Sequence, residues 1–82
     1  MKAVLSPQAA KDLERLNEPV KSRIKAALRK LEKEPPQGDI KALEGRDGYR
    51  VRIGGYRILF DVTESVVAIY KIEPRGQAYK GR

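Results

Sequence analysis

The chain has 82 residues, a formal net charge of +7, and neither cysteine nor histidine. Its length predicts a single small domain over residues 1–82. The missing residue types exclude disulfides, thiolate or imidazole metal ligands and any histidine-based catalytic triad, and no metal or other cofactor is expected. The basic excess favours a polyanionic partner, either a nucleic acid or an acidic protein segment. No apolar run approaches the ~20 residues that span a bilayer, so we expect a cytoplasmic protein with no membrane partner.

The first half of the chain predicts a short strand followed by two helices. Residues 2–5 are partly apolar, and Ser6-Pro7 supplies an N-cap and a first helical residue. Asn17 is expected to cap a second helix, in which apolar residues recur at helical spacing between Val20 and Leu31. A Pro-Pro-Gln-Gly segment at 35–38 ends that helix. The result is a helical hairpin with a basic outer surface.

In the second half of the chain, apolar and polar residues alternate with the two-residue period of a β-strand. Two alternating runs, Tyr49–Ile53 and Tyr56–Val62, flank Gly54-Gly55, a pattern typical of a hairpin with a two-residue turn. A third run, Val66–Ile72, completes an antiparallel three-stranded meander. With the N-terminal strand and the helical hairpin, these elements predict a two-layer α+β fold.

Alternation about this turn predicts one apolar and one basic sheet face. The apolar face, expected to meet the helices, holds Tyr49, Val51, Ile53, Tyr56, Ile58 and Phe60. The other face holds Arg50, Arg52 and Arg57, and the third strand should bring Arg75 beside them. Tyr79, Lys80 and Arg82 are expected at the rim. Opposed like charges destabilise a sheet, and we expect no matching carboxylates, so this face predicts binding of an external anion such as phosphate.

A purely structural role is the alternative for these residues. Arg50 and Arg52 could pair with one of three acids, namely Asp47, Asp61 or Glu73. Arg75 could be a solvated residue near the chain end, and Tyr79 could be a packing aromatic.

The hairpin run from Tyr49 to Val62 resembles the signature of the RelE/ParE toxin superfamily. Arg75-Gly-Gln-Ala-Tyr79-Lys80 is similar to the closing motif of that family. Leu5-Ser-Pro-Gln-Ala-Ala-Lys-Asp-Leu13 and Leu43-Glu-Gly45 resemble its opening helix and its pre-strand turn. The likeness covers nearly the whole chain, but the hairpin motif does not by itself separate ribonucleases from gyrase inhibitors.

In the RelE branch, the resemblance implies metal-independent cleavage of messenger RNA in the ribosomal A site, by attack of a ribose 2′-OH on the neighbouring phosphate. The implied catalytic residues are Arg52, Arg57, Arg75 and Tyr79, and the implied RNA-binding residues are Arg50, Lys80 and Arg82. Arg57 and Arg75 would hold the scissile phosphate, Arg50 and Arg52 would position the RNA backbone and the 2′-OH, and Tyr79 would stack on a base or orient the nucleophile.

The identity of the general base is left open. Relatives often carry Lys, Glu or His at the two hairpin positions that are Arg here, and Pro74 stands where many have His. Arginine stays protonated and is a poor base, so Glu44, Glu73 and Tyr79 are the candidates. The alternative is an enzyme without a general base, which relies on positioning and electrostatics with assistance from the substrate.

Two other functions compete with the ribonuclease. One is a ParE-like inhibitor of DNA gyrase, and the other is a catalytically inactive nucleic-acid-binding or co-repressor module. The resemblance implies a cognate acidic antitoxin, besides the ribosome and messenger RNA as partners, and leaves open whether toxin and antitoxin form a heterotetramer.

Overall fold

The protein folds into one mixed sheet with two helices on one side. The computed structural model describes residues 1–75. Its elements are β1 (Lys2–Leu5), α1 (Pro7–Glu14), α2 (Val20–Leu31), β2 (Ile40–Ala42), β3 (Tyr49–Ile53), β4 (Tyr56–Thr63) and β5 (Val66–Pro74). The sheet order is β1-β5-β4-β3-β2, with β1 parallel to β5 and the other neighbours antiparallel. The predicted two-layer α+β fold is confirmed. β2 was not predicted, because three residues are too few to show alternation.

A side-chain oxygen accepts hydrogen bonds from the first turn of each helix. Ser6 Oγ accepts a hydrogen bond from the Ala9 N–H at 3.0 Å, as expected of an N-cap. The prediction that Asn17 caps α2 is wrong. The N-cap residue is Pro19, which makes no side-chain cap hydrogen bond. Glu18 Oε1 accepts from Ser22 Oγ at 2.7 Å and from the Ser22 N–H at 3.0 Å in the first turn. These bonds, led by that from the Ser22 hydroxyl, lower the pKa of Glu18 below its ordinary value.

The core lies between the helices and one sheet face. α1 packs against β5, and α2 packs against β1 and β3. The buried cluster comprises Ala9, Ile24, Leu28, Leu31, Val51, Ile58, Phe60, Val67, Ile69 and Ile72. Neither helix in the described part of the chain is both long and apolar enough to cross a membrane.

Tyr49 lies on the predicted apolar face but is not buried by the helices. Its side chain is 39% exposed and stacks on Phe60, with ring centroids 5.7 Å apart. The helices leave this end of the sheet uncovered, where Pro36, Ile40 and Val62 line a shallow groove together with the two rings. The position therefore follows the predicted alternation without being buried.

A β-bulge in β5 changes which residues oppose each other in the meander. Phe60 pairs with Ile69, but Leu59 pairs with Lys71, so that Tyr70 is the extra residue. Ile69 and Ile72 are consequently both buried in the core although they are three positions apart. Beyond the bulge, every residue of β5 is displaced by one position relative to β4, and this determines the partners at the end of the hairpin.

Two acids on the helical layer satisfy strand N–H groups. Asp12 Oδ2 accepts from the Ile72 N–H at 2.9 Å, beyond the last β1–β5 pair. Glu32 Oε2 accepts from the Ala3 N–H at 2.8 Å on β1. A buried strand N–H without a partner is costly, so both contacts hold the ends of the sheet against the helices.

Candidate nucleic-acid interface

Three arginines lie on the sheet face turned away from the helices. β3 and β4 pair in the predicted register, with Arg52 opposite Arg57 and Val51 opposite Ile58. Because Val51 and Ile58 are buried under the helices, alternation places Arg50, Arg52 and Arg57 on the other side. The expected juxtaposition of two like charges is therefore present.

Arg75 joins this end of the sheet through the hairpin turn. Gly54 takes a φ of +55°, a left-handed conformation that glycine adopts readily. The Arg75 N–H donates to Gly55 O at 2.7 Å, and its Nη1 donates to Gly54 O at 3.2 Å. The fourth arginine is thus held at the turn that joins the strands of Arg52 and Arg57.

Glu73 lies directly opposite Arg57 on β5. Both Nε and Nη2 of Arg57 contact Glu73 Oε2, each at 2.5 Å. The two side chains are 27% and 19% exposed, respectively. This pair is the least exposed ion pair in residues 1–75, and it leaves the second carboxylate oxygen, Oε1, without a donor from any described residue.

Asp39 provides a second carboxylate near the arginines. Its backbone oxygen accepts from the Arg52 N–H at 3.1 Å and from Arg50 Nη1 at 3.2 Å. Its carboxylate lies 4.0 Å from Arg50 Nη1 and 3.8 Å from Arg52 Nε, and is 61% exposed. These charges are loosely paired, and an exposed pair of this kind contributes at most about 1 kcal/mol.

The expectation that no carboxylates match the arginines is wrong. We call the assembly of Arg50, Arg52, Arg57, Arg75, Asp39 and Glu73 the basic face. Asp39 was missed because it comes from the loop before β2, a strand that the sequence did not reveal. Glu73 was named only among several partners, since the bulge that brings it opposite Arg57 was not anticipated. The arginines still outnumber the acids, so the face retains a positive charge.

The loop before β3 packs against Tyr70, the extra residue of the bulge in β5. A Cβ on Gly48 would lie 3.0 Å from Tyr70 Oη and 3.3 Å from Leu43 Cδ1, and its φ is +112°. Leu59, which alternates with Arg57, is only 3% exposed although it is outside the main core cluster. The loop before β3 thus approaches Tyr70 closely, and Leu59 is a buried apolar position on the strand that carries Arg57.

The remaining predicted site residues have different placements. Tyr79, Lys80 and Arg82 lie outside the described residues. Of the candidate bases, Glu44 is exposed in the loop before β3, whereas Glu73 lies within the basic face.

The basic face offers the groups needed to bind a phosphodiester. Guanidinium groups bind phosphate through planar pairs of N–H donors and stabilise added negative charge on it. A partly buried carboxylate beside them can accept a proton. In residues 1–75 no group of three or more potential acidic ligands is arranged to hold a metal ion.

The chain is similar to toxins of toxin–antitoxin systems. A family model described as the ParE toxin of the type II toxin–antitoxin system parDE matches residues 3–79. The archaeal RelE–RelB complex of Pyrococcus horikoshii contains a chain with 32% identity and a TM-score of 0.77, covering 93% of this chain and 96% of that one. No curated protein matches in sequence.

Two further solved structures share the fold at lower identity. A chain of the RelB–RelE antitoxin–toxin complex of Methanococcus jannaschii has 23% identity and a TM-score of 0.76, covering 95% of this chain and 96% of that one. The isolated RelE toxin of Escherichia coli has 22% identity and a TM-score of 0.74, covering 96% and 90%. The family model and the Pyrococcus relative each span nearly the whole sequence, and so the chain belongs to the RelE/ParE superfamily as a toxin of a type II toxin–antitoxin system.

Proposed function

We propose that this toxin is an endoribonuclease that cleaves messenger RNA in the ribosomal A site in the cytoplasm. The observation that carries the proposal is Arg52 directly opposite Arg57, with Arg75 held at the adjoining turn. Opposed like charges cost stability in a sheet. They become favourable when an anion binds between them, and a phosphodiester supplies that anion at every nucleotide.

The proposed reaction is attack of a ribose 2′-OH on the neighbouring phosphate with expulsion of the 5′-oxygen. Arg57 and Arg75 hold the phosphate and neutralise the charge that develops on it. Arg50 and Arg52 position the RNA backbone. Tyr79, Lys80 and Arg82 are proposed to contact the RNA at the rim, with Tyr79 stacking on a base or orienting the nucleophile. All these tasks fall to side chains, so the reaction requires no metal ion.

Inhibition of DNA gyrase is the second candidate, because the family model that matches is that of the ParE toxin. A gyrase inhibitor has no need for a phosphate-binding cluster around Arg57 and Arg75. The basic face therefore favours the ribonuclease. An inactive nucleic-acid-binding or co-repressor module would keep the face but would cut no RNA.

The neutralising partner is proposed to be a cognate acidic antitoxin. The solved complexes named above pair RelE chains with RelB chains. For this toxin, an acidic and partly disordered segment is suited to cover the basic face.

The deciding experiment is induction of the toxin without antitoxin, followed by mapping of transcript 5′ ends. Wild type, Arg75→Ala and Tyr79→Phe are compared on one message with and without its start codon. Arg29→Ala is the matched control, because Arg29 is an exposed arginine on α2 in the opposite layer. A purified gyrase supercoiling assay is run in parallel.

The proposal expects cuts at fixed codon positions in the translated message only, lost in Arg75→Ala and retained in Arg29→Ala. Growth arrest with intact transcripts and inhibited supercoiling would instead establish the gyrase inhibitor. Growth arrest that survives Arg75→Ala and Tyr79→Phe, with neither effect, would point to the binding module.

A further inference from the structure

Within the proposed ribonuclease, we infer that Glu73 is the general base that removes the proton from the ribose 2′-OH. This assignment rests on the proposed function. It also resolves a chemical gap, since both hairpin positions at the centre of the basic face are arginines, which do not accept protons at physiological pH.

The geometry of the Arg57–Glu73 pair suits this role. Arg57 contacts only Oε2 of Glu73, through Nε and Nη2. No donor within residues 1–75 contacts Oε1, so this oxygen can accept a hydrogen bond from the 2′-OH. Arg57 retains further N–H donors for a phosphate oxygen. In RNA the 2′-OH and the phosphate that it attacks are neighbours, so a base and a phosphate-binding cation are required side by side.

Glu73 is much less exposed than Asp39, the other acid near the arginines. Its side chain is 19% exposed, whereas that of Asp39 is 61% exposed and lies 3.8 Å or more from its arginines. A base that is held in place loses less entropy when the substrate arrives, and low solvent exposure strengthens its interaction with the 2′-OH. Among the described acids, Glu73 alone combines a fixed position with a free oxygen on the basic face.

Several charged groups surround Glu73. Arg57 faces it from β4, and Arg52 lies one strand further, on β3. Along the chain, Lys71 on β5 and Arg75 just after β5 are its nearest charged neighbours. From α1, Asp12 binds the adjacent Ile72 N–H. The charged groups nearest Glu73 are therefore mostly cations, which are suited to hold a phosphate beside it.

The cleavage step transfers one proton to Glu73 and exchanges one bond at phosphorus. Oε1 of Glu73 takes the proton from the 2′-OH as the 2′-oxygen forms a bond to phosphorus. The bond between phosphorus and the 5′-oxygen breaks, and the leaving 5′-oxygen takes a proton from water. The products are a 2′,3′-cyclic phosphate and a 5′-hydroxyl, and Glu73 then returns its proton to water.

The test is single-turnover cleavage by the full chain on ribosomes programmed with a short message, from about pH 6.5 to 8.5. The wild-type rate is expected to be flat, because a reaction with its own general base does not depend on the concentration of hydroxide. Glu73→Gln is expected to be slower by about 10²- to 10⁴-fold at the lower end. Its rate should then rise about tenfold per pH unit, because hydroxide replaces the missing base.

A binding measurement separates a catalytic from a structural role. The probe is the same message with a 2′-deoxy nucleotide at the cleaved position, which cannot react. Glu73→Gln removes a negative charge and is expected to bind this probe at least as tightly as the wild type. Glu73→Asp, which keeps a shorter carboxylate, is expected to cleave at an intermediate rate with a flat profile. Asp61→Asn, an exposed acid further along β4, is the matched control.

Each outcome decides the assignment. A Glu73→Gln variant that cleaves like the wild type, or that loses binding and cleavage together while its profile stays flat, overturns Glu73 as the base and leaves the ribonuclease intact. A wild-type rate that rises tenfold per pH unit overturns it without any variant, even if Glu73→Gln does not fold. A wild type that cuts no RNA removes the proposed function and this assignment together.

Discussion

On the helix-covered face of the sheet, Val51, Ile58 and Phe60 are at most 2% exposed. On the opposite face, the alternate positions of the same strands carry Arg50, Arg52 and Arg57. The first face gains stability by excluding water from apolar side chains. The second face brings like charges together, and ion pairs with Asp39 and Glu73 offset part of their electrostatic repulsion. The stabilising apolar contacts are therefore concentrated on one side of β3 and β4, and the arginines are concentrated on the other.

The largest loss of unfolding free energy is expected from Phe60→Ala, on the helix-covered face. Phe60 is 1% exposed at the centre of the core, and removing a buried phenyl group costs about 3–5 kcal/mol of unfolding free energy. Urea unfolding measures the loss. Val62→Ala in the same strand, at a position 37% exposed, is the control and should lose far less. Equal losses would show that the core does not extend as described.

Asp12→Ala tests the hydrogen bond that joins α1 to β5 next to Glu73. The substitution leaves the Ile72 N–H without its acceptor, one residue before Glu73. An unsatisfied N–H of this kind costs about 1–3 kcal/mol, which thermal or urea unfolding would detect. Gln8→Ala removes only the exposed side chain that donates to Asp12 Oδ1 and should be close to neutral. An Asp12→Ala variant as stable as the wild type would contradict this account.

Arg52→Thr should separate stability from function on the basic face. Removing one of two opposed arginines relieves repulsion worth roughly 0.2–1 kcal/mol, and threonine favours strands. We expect the unfolding free energy to stay unchanged or to rise by up to about 1 kcal/mol, while RNA cleavage falls. A variant that is clearly destabilised would show that Arg52 is mainly a structural partner of Asp39.

The smallest effect is expected at Glu18, outside both faces. Hydrogen bonds from Ser22 lower the pKa of Glu18 in the folded state. Its stabilising contribution is therefore complete above the ordinary carboxyl pKa and is lost as pH falls through the lowered value. Glu18→Gln should be slightly less stable than the wild type at neutral pH and equal to it in acid. Glu14→Gln, at an exposed position on α1, is the matched control variant.

Turn residues, helix caps and strand alternation are visible in short stretches of sequence, and the features that depend on them were predicted. Gly54-Gly55 between alternating runs gave the register that places Arg52 opposite Arg57. Ser6 gave the start of α1. The three-stranded meander followed from the same alternation, because hydrogen bonding between consecutive strands is set by short turns.

The parts that were missed depend on long-range or irregular geometry. The parallel pairing of β1 with β5 has no local signal, since its partners are far apart in the chain. Strict alternation through β5 would have placed Ile72 opposite Arg57, but the bulge at Tyr70 puts Glu73 there. The spacing of Ile69 and Ile72, both apolar and three residues apart, was the available clue. The roles of Tyr79, Lys80 and Arg82 remain predictions.

The parallel pairing of β1 with β5 has a consequence for synthesis of the protein. A ribosome releases the chain from its N-terminus, so β1 emerges first and waits for the strand that it pairs with. Lys2 to Leu5 cannot join the sheet until Val66 to Ile69 have left the exit tunnel. The basic face is assembled on strands that emerge late as well, since Glu73 and Arg75 follow all of these residues. A nascent toxin is thus unable to complete the basic face before Glu73 and Arg75 have been synthesised.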